Sequence, residues 1–219
     1  MSKKVLFILT SRDQYEDGTP TGLWLEEASE PYNILTEADI AVDLTSIEGG
    51  AVPLDPNSTQ NNELDKYAEF VAKIKDVPSI AGVDVAQYDA VYLPGGHGTV
   101  FDFAHNQQLS SILADFKDED KIISSVCHGP SAFVGAKDKQ GNFLVNGVTL
   151  TSFTDEEERT MGLDNKVPFL TQTELENQGA KFITKENFSE HVESDSQFIT
   201  GQNPQSSVAI GKALRDALK

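Results

Sequence analysis

The chain holds one cysteine among its 219 residues, Cys127. No intrachain disulfide can form, which excludes the small secreted scaffolds and fits a reducing compartment. Cations are also scarce: 17 Lys and Arg stand against 35 Asp and Glu, a formal net charge of −18. Such a surface repels nucleic acid, whose phosphates are bound by cationic groups that displace counterions. The same sign disfavours an anionic membrane. Long apolar runs are missing too. The run VLFIL is shorter than the ~7–15 residues of a signal-peptide core, and Thr10, Ser11 and Arg12 close it. No window approaches the ~18 apolar residues of a membrane helix. The expectation is a cytoplasmic protein with neither a nucleic-acid nor a membrane partner.

Apolar clusters recur from end to end, with no internal repeat and no low-complexity linker. One domain over 1–219 is expected, and a chain of this length buries roughly 70% of its unfolded surface without staples. KVLFILTS and KIISSV read as buried strands, and IAVDLTSI and YDAVYLP as strands. NGVTLTS, KFIT and QFITG read as shorter ones. Between them lie helical stretches. GLWLEEASEPYNILTEA has an expected break before Pro31. In NELDKYAEFVAKIKD, Leu64, Tyr67, Ala68, Val71 and Ile74 share a face. QLSSILADFKD, TQTELENQGA and PQSSVAIGKALRDAL follow. Strands alternating with helices predict an α/β three-layer sandwich with a mostly parallel sheet. Ligands of such sheets sit beyond the carboxyl ends of the strands.

Two segments place unusual residues there. SSVCHGP delivers Cys127 from a buried strand into His128, Gly129 and Pro130. Gly129 permits a sharp turn and Pro130 suits a first helical turn. This is the pattern of a nucleophile elbow, which exposes its side chain above the sheet. A helix N-terminus behind the cysteine would lower its pKa, and the thiolate is the nucleophile. LPGGHGT follows another strand, and the amides of its three glycines, Gly95, Gly96 and Gly98, could form an oxyanion hole, while the elbow aims the His128 amide at the reacting atom. It is neither a dinucleotide nor a P-loop fingerprint, so no cofactor is expected. His97 reads as structural, since no second histidine stands at metal-ligand spacing. Glu26 and Glu27 are adjacent on the first helix, about 100° apart, so one of them is expected to face a pocket. In FTDEEE, one of Glu156, Glu157 and Glu158 could orient His128, as the third member of a triad does.

In order along the chain, TGLWLEE, LPGGHGTVFDF, SVCHGP, FTDEEE and ITGQNPQSS resemble the PfpI-type, class I glutamine amidotransferase-like superfamily. The chain is most similar to its glutathione-independent glyoxalase branch, also described as stress-induced chaperone-like proteins. The resemblance implies a flavodoxin-like sandwich, a homodimer, and conversion of methylglyoxal to D-lactate without metal or glutathione. Carried onto this sequence, Cys127 is the nucleophile and His128 its neighbour. Glu27 is the acid/base carboxylate and Glu158 the triad acid, with Gly95, Gly96 and Gly129 lining the oxyanion and substrate region. Rival readings use the same thiol: a deglycase acting on methylglyoxal adducts, a cysteine amidase or peptidase, or a redox-sensing holdase whose thiol oxidises to a sulfinate.

Overall fold

The computed structural model describes residues 3–219. Eight strands run β1 Lys4–Leu9, β2 Ala41–Ser46, β3 Ala90–Leu93, β4 Ile122–Val126, β5 Thr149–Leu150, β6 Lys181–Phe182, β7 Val192–Asp195 and β8 Phe198–Gly201. The helices are α1 Leu25–Thr36, α2 Glu63–Lys66, α3 Ala68–Lys73, α4 Thr99–Asp102, α5 Gln107–Asp118, α6 Asp155–Thr160, α7 Thr171–Asn177 and α8 Ser207–Ala217. Six strands form one sheet in the order β2-β1-β3-β4-β8-β7, parallel except at the β7–β8 hairpin. β5 and β6 pair separately. This is the α/β sandwich with a mostly parallel sheet that the alternation predicts, in the flavodoxin-like form that the family resemblance implies.

β1 shows why the layers form. Its side chains alternate across the sheet. Val5, Phe7 and Leu9 enter one core with Tyr92, Val126, Leu25 and Leu214. Leu6 and Ile8 enter the other with Val91, Leu93, Leu109 and Leu113. So α1 and α8 cover one face and α5 the other. α1 and α8 approach closely at a glycine: a Cβ on Gly211 would lie 3.0 Å from the Pro31 Cα.

The structure departs from the expectations in several places. α1 runs unbroken through Pro31. The stretch from Glu63 splits into α2 and α3 at Tyr67, whose φ and ψ of −109° and 27° are not helical. That break leaves Leu64 and Ala68 exposed and buries Tyr67, Phe70 and Ile74 instead. The NGVTLTS strand shrinks to Thr149–Leu150. β7 escapes the alternation rule, because an antiparallel edge strand can be largely polar.

Candidate active site

Cys127 directly follows β4 and holds a left-handed backbone, φ 59°. A non-glycine residue keeps that conformation only where its surroundings impose it. Here the Cys127 N–H donates to the Gly201 carbonyl at 2.9 Å, and its own carbonyl accepts the Phe153 N–H at 2.8 Å. The chain then enters a 3₁₀ turn, Gly129–Phe133, where an α-helix was expected. So short a turn supplies little macrodipole to ionise the sulfur. Gly129 serves the turn itself. A Cβ there would fall 2.2 Å from the Leu93 carbonyl oxygen and 2.5 Å from Ser125 Oγ.

Glu27 on α1 is fully buried. Its Oε2 accepts the Gly95 N–H at 2.7 Å, so that amide is committed to the carboxyl group. Oε1 is buried without a hydrogen-bond partner. The Cys127 thiol is a further polar neighbour of the same side chain. Burial pushes the Glu27 carboxyl up to about 8, against the pull of the Cys127 and Gly95 hydrogen bonds. It therefore holds a proton at neutral pH. Burial, and then the Glu27 charge, push the Cys127 thiol up as well. Protonating Glu27 removes that charge and leaves the sulfur beside a donor. Glu26, next in sequence, lines the cavity above. Of the pair, Glu26 lines the cavity, while Glu27 is buried outside that lining and meets the site through the Cys127 thiol and the Gly95 amide.

His128 links the sulfur to a second carboxylate. Its Nδ1 lies 3.4 Å from Cys127 Sγ and its Nε2 lies 2.5 Å from Glu158 Oε2. Glu158 Oε1 lies 2.6 Å from His97 Nε2, so one carboxylate bridges two imidazoles. Burial alone would raise Glu158; His128 and His97 nevertheless hold it well below the usual carboxylate range. Burial, and then His97, push His128 down, which keeps its ring neutral near pH 7. Phe153 stacks on the far side of that ring at 4.4 Å between centroids.

The three consecutive acids of α6 have three roles. Glu156 is exposed. Glu157 closes a capping box with Thr154. Its Oε1 also accepts the Phe188 N–H at 2.8 Å and the Asn203 side-chain amide at 2.9 Å, tying down the loop over the site. Glu158 alone meets the histidines. His97 is the site residue that sequence reasoning set aside. Its signal was present: it stands two residues past Gly95, at the end of a strand beside the elbow.

Trp24, His97, Phe153, Met161, Phe188 and the Cys127 sulfur are among the groups lining a cavity of about 260 Å³. Gly96 and His128 also line it. His97, His128 and Glu158 have the composition of a metal site. Their N···O separations of 2.5 and 2.6 Å are those of hydrogen bonds. A tetrahedral ion at ~2.0–2.1 Å from each atom would need the pairs spread beyond 3 Å. The three groups satisfy one another as they stand.

Residues 3–217 match the DJ-1/PfpI family. The chain belongs to that family. Among curated members it is 32% identical to Glyoxalase 3 of Candida albicans, over 94% of each chain. It is 31% identical to the glutathione-independent glyoxalase HSP31 of Saccharomyces cerevisiae, over 99% of this chain and 98% of that protein. A more distant member, the protein/nucleic acid deglycase HchA of Pseudomonas aeruginosa, shares 26% over 99% of this chain and 81% of its own length. The crystal structure of the Rapid Encystment Protein of Francisella tularensis superposes with a TM-score of 0.95 at 35% identity, covering 99% of both chains. That of the Candida albicans glyoxalase III gives 0.88 at 29% identity, covering 99% of this chain and 98% of the other. No helix among the described residues is long and apolar enough to cross a membrane.

Proposed function

We propose that this DJ-1/PfpI protein is a glutathione-independent glyoxalase that converts methylglyoxal to D-lactate. The observation carrying the reading is the pairing of Cys127 with a buried, protonated Glu27 under a largely apolar cavity. The full-length likeness to two proteins named as glyoxalases supports it.

The chemistry is an internal redox exchange, so no external oxidant is required. The Cys127 thiol passes its proton to the neutral His128 at Nδ1, 3.4 Å from the sulfur, as the sulfur adds to the aldehyde carbon. The oxygen that becomes negative takes the Glu27 proton, giving a hemithioacetal and a Glu27 carboxylate. The backbone amides of Gly96 and His128, beside the sulfur, are the donors available to that oxygen. Glu27 then removes the carbon-bound proton of the former aldehyde. The electron pair passes through an enediolate, Glu27 returns the proton to the neighbouring carbon, and the hydroxyl proton of the former aldehyde shifts to the neighbouring oxygen. The aldehyde carbon is now a thioester and the ketone carbon an alcohol. Water attacks the thioester, its proton passing to the Glu27 carboxylate, while His128, which Glu158 orients, returns its proton to the leaving sulfur. The hydroxy acid leaves, and the thiol and the protonated Glu27 are regenerated. Cys127, Glu27, His128 and Glu158 act as a unit.

The cavity carries no Lys or Arg, which favours a neutral dicarbonyl over an anionic substrate. Methylglyoxal should be consumed without glutathione or added metal, with D-lactate found by chiral assay. Cys127→Ser should abolish turnover. Full turnover by that variant would disprove the covalent route. The family's deglycase member motivates a second arm: adducts of methylglyoxal on amines, assayed with free aldehyde scavenged. Loss of product under scavenging identifies free methylglyoxal as the substrate.

A further inference from the structure

Pro31 lies in the middle of α1, four residues after Glu27. A proline has no N–H, so it cannot give the i→i−4 hydrogen bond. The carbonyl that loses its donor is that of Glu27. The helix is nonetheless unbroken. The reason lies on the sheet: the Tyr92 hydroxyl donates to the Glu27 carbonyl oxygen at 2.6 Å. Tyr92 is fully buried on β3, three residues before Gly95. Gly95 in turn donates its N–H to the Glu27 carboxyl. One strand and the loop that continues it therefore grip both ends of Glu27, its main chain and its side chain.

We propose that Tyr92 is a positioning residue for Glu27, replacing from the sheet the hydrogen bond that Pro31 withholds within the helix. The inference rests on the reading of Glu27 as the acid/base group. Tyr92 reaches the Glu27 backbone, and its effect on the reaction passes through that residue. Without the hydroxyl, the Glu27 carbonyl is left buried and unpaired. The turn that carries it relaxes, and the carboxyl group drifts from the sulfur. Ionisable neighbours of the pair are Glu26 on α1, Asp55 after β2, Tyr92 on β3, His128 beside the sulfur, and Glu157 and Glu158 on α6.

The test is a rescue. Pro31→Ala restores a backbone N–H four residues after Glu27, so it can supply from the helix the bond that Tyr92→Phe removes. Alanine keeps the Pro31 Cα and Cβ, the atoms that face Gly211. Wild type, Y92F, P31A and Y92F/P31A are compared by methylglyoxal kinetics and by the pH dependence of Cys127 alkylation with iodoacetamide. Y92F should lose roughly ten- to a hundredfold in kcat with little change in KM, as a displaced catalytic group does. Its alkylation midpoint should move to higher pH, because the thiolate has lost its donor. P31A should stay near wild type. The double variant should recover most of kcat and the wild-type midpoint.

A double variant as impaired as Y92F, or a Y92F variant indistinguishable from wild type, overturns the proposal. Should Y92F not fold, a folded and active double variant supports it, and failure of both overturns it. A wild-type protein without methylglyoxal turnover defeats the glyoxalase reading instead. The alkylation arm would still report whether Tyr92 positions Glu27.

Discussion

Glu27 and Gly95 share one buried hydrogen bond across 68 residues of chain, at 2.7 Å. The strand end needs a glycine there because the space a side chain would fill is taken. A Cβ on Gly95 would lie 2.7 Å from both Glu27 Oε2 and the His128 backbone nitrogen, and 2.8 Å from the Val126 carbonyl oxygen. Two of those atoms are backbone of the elbow itself and cannot swing aside.

Gly95→Ala is therefore expected to push the LPGG loop away from both Glu27 and the elbow. Activity should fall about a hundredfold or more, since small misplacements of catalytic groups have effects of that order. Stability should drop by about 1–3 kcal/mol, the usual result of overpacking. Steady-state kinetics and a urea melt check both. Wild-type kcat in this variant would show that the contact is dispensable.

Stability should also depend on pH through Glu27. Its folded carboxyl titrates near 8, above the ordinary value of 4.5. Between those values the folded state holds a proton that the unfolded state has released. Stability from this group is complete below 4.5 and is lost as pH rises through 8. Glu27→Gln removes the titration. Its Tm should lie above wild type at pH 9 and should fall less between pH 5 and 9, with about 2–4 °C for each kcal/mol in a domain of this size. Parallel Tm curves for the two proteins would contradict the buried-acid assignment.

Glu158→Gln tests the bridge between the imidazoles. The amide can meet only one ring as a carboxylate would, and it no longer stabilises a proton on His128. Turnover should fall roughly a hundred- to ten-thousandfold, the range seen when an orienting acid or a general base is lost. Cys127 alkylation should persist, because the sulfur's partner Glu27 is untouched. His97→Ala should cost less, since His128 keeps its own oxygen of Glu158. Comparable losses in the two variants would place His97 in the chemistry itself.

Much of the fold could be read along the chain. β1 and β3 are short apolar runs with abrupt polar ends, and their burial on both faces needs no more than that. The helix through Pro31 was less legible, because a proline's missing donor can be offset by a hydroxyl from another element. α2 and α3 looked like one helix because the apolar spacing runs on across the break at Tyr67, whose hydroxyl donates to the Glu30 carboxylate of another element at 2.5 Å. β7 is polar, and it forms because β8 offers it a partner.

The site divides in the same way. SVCHGP announced the sulfur, and the strand-to-turn sequence was enough to put it at the carboxyl end of the sheet. Three acids in a row could not be told apart, because their roles depend on which way each faces from α6. His97 was passed over for the same reason: its partner, Glu158, is 61 residues away.

Local pattern, then, determined the strands, the sharp turn at Cys127 and the layered architecture, since these follow from side-chain periodicity and backbone sterics. Tertiary structure alone decided which carboxyl group is protonated, which is shared by two histidines, and what completes the helix at Pro31. Those properties arise from desolvation and from contacts between residues remote in the chain, and neither quantity exists until the layers have packed.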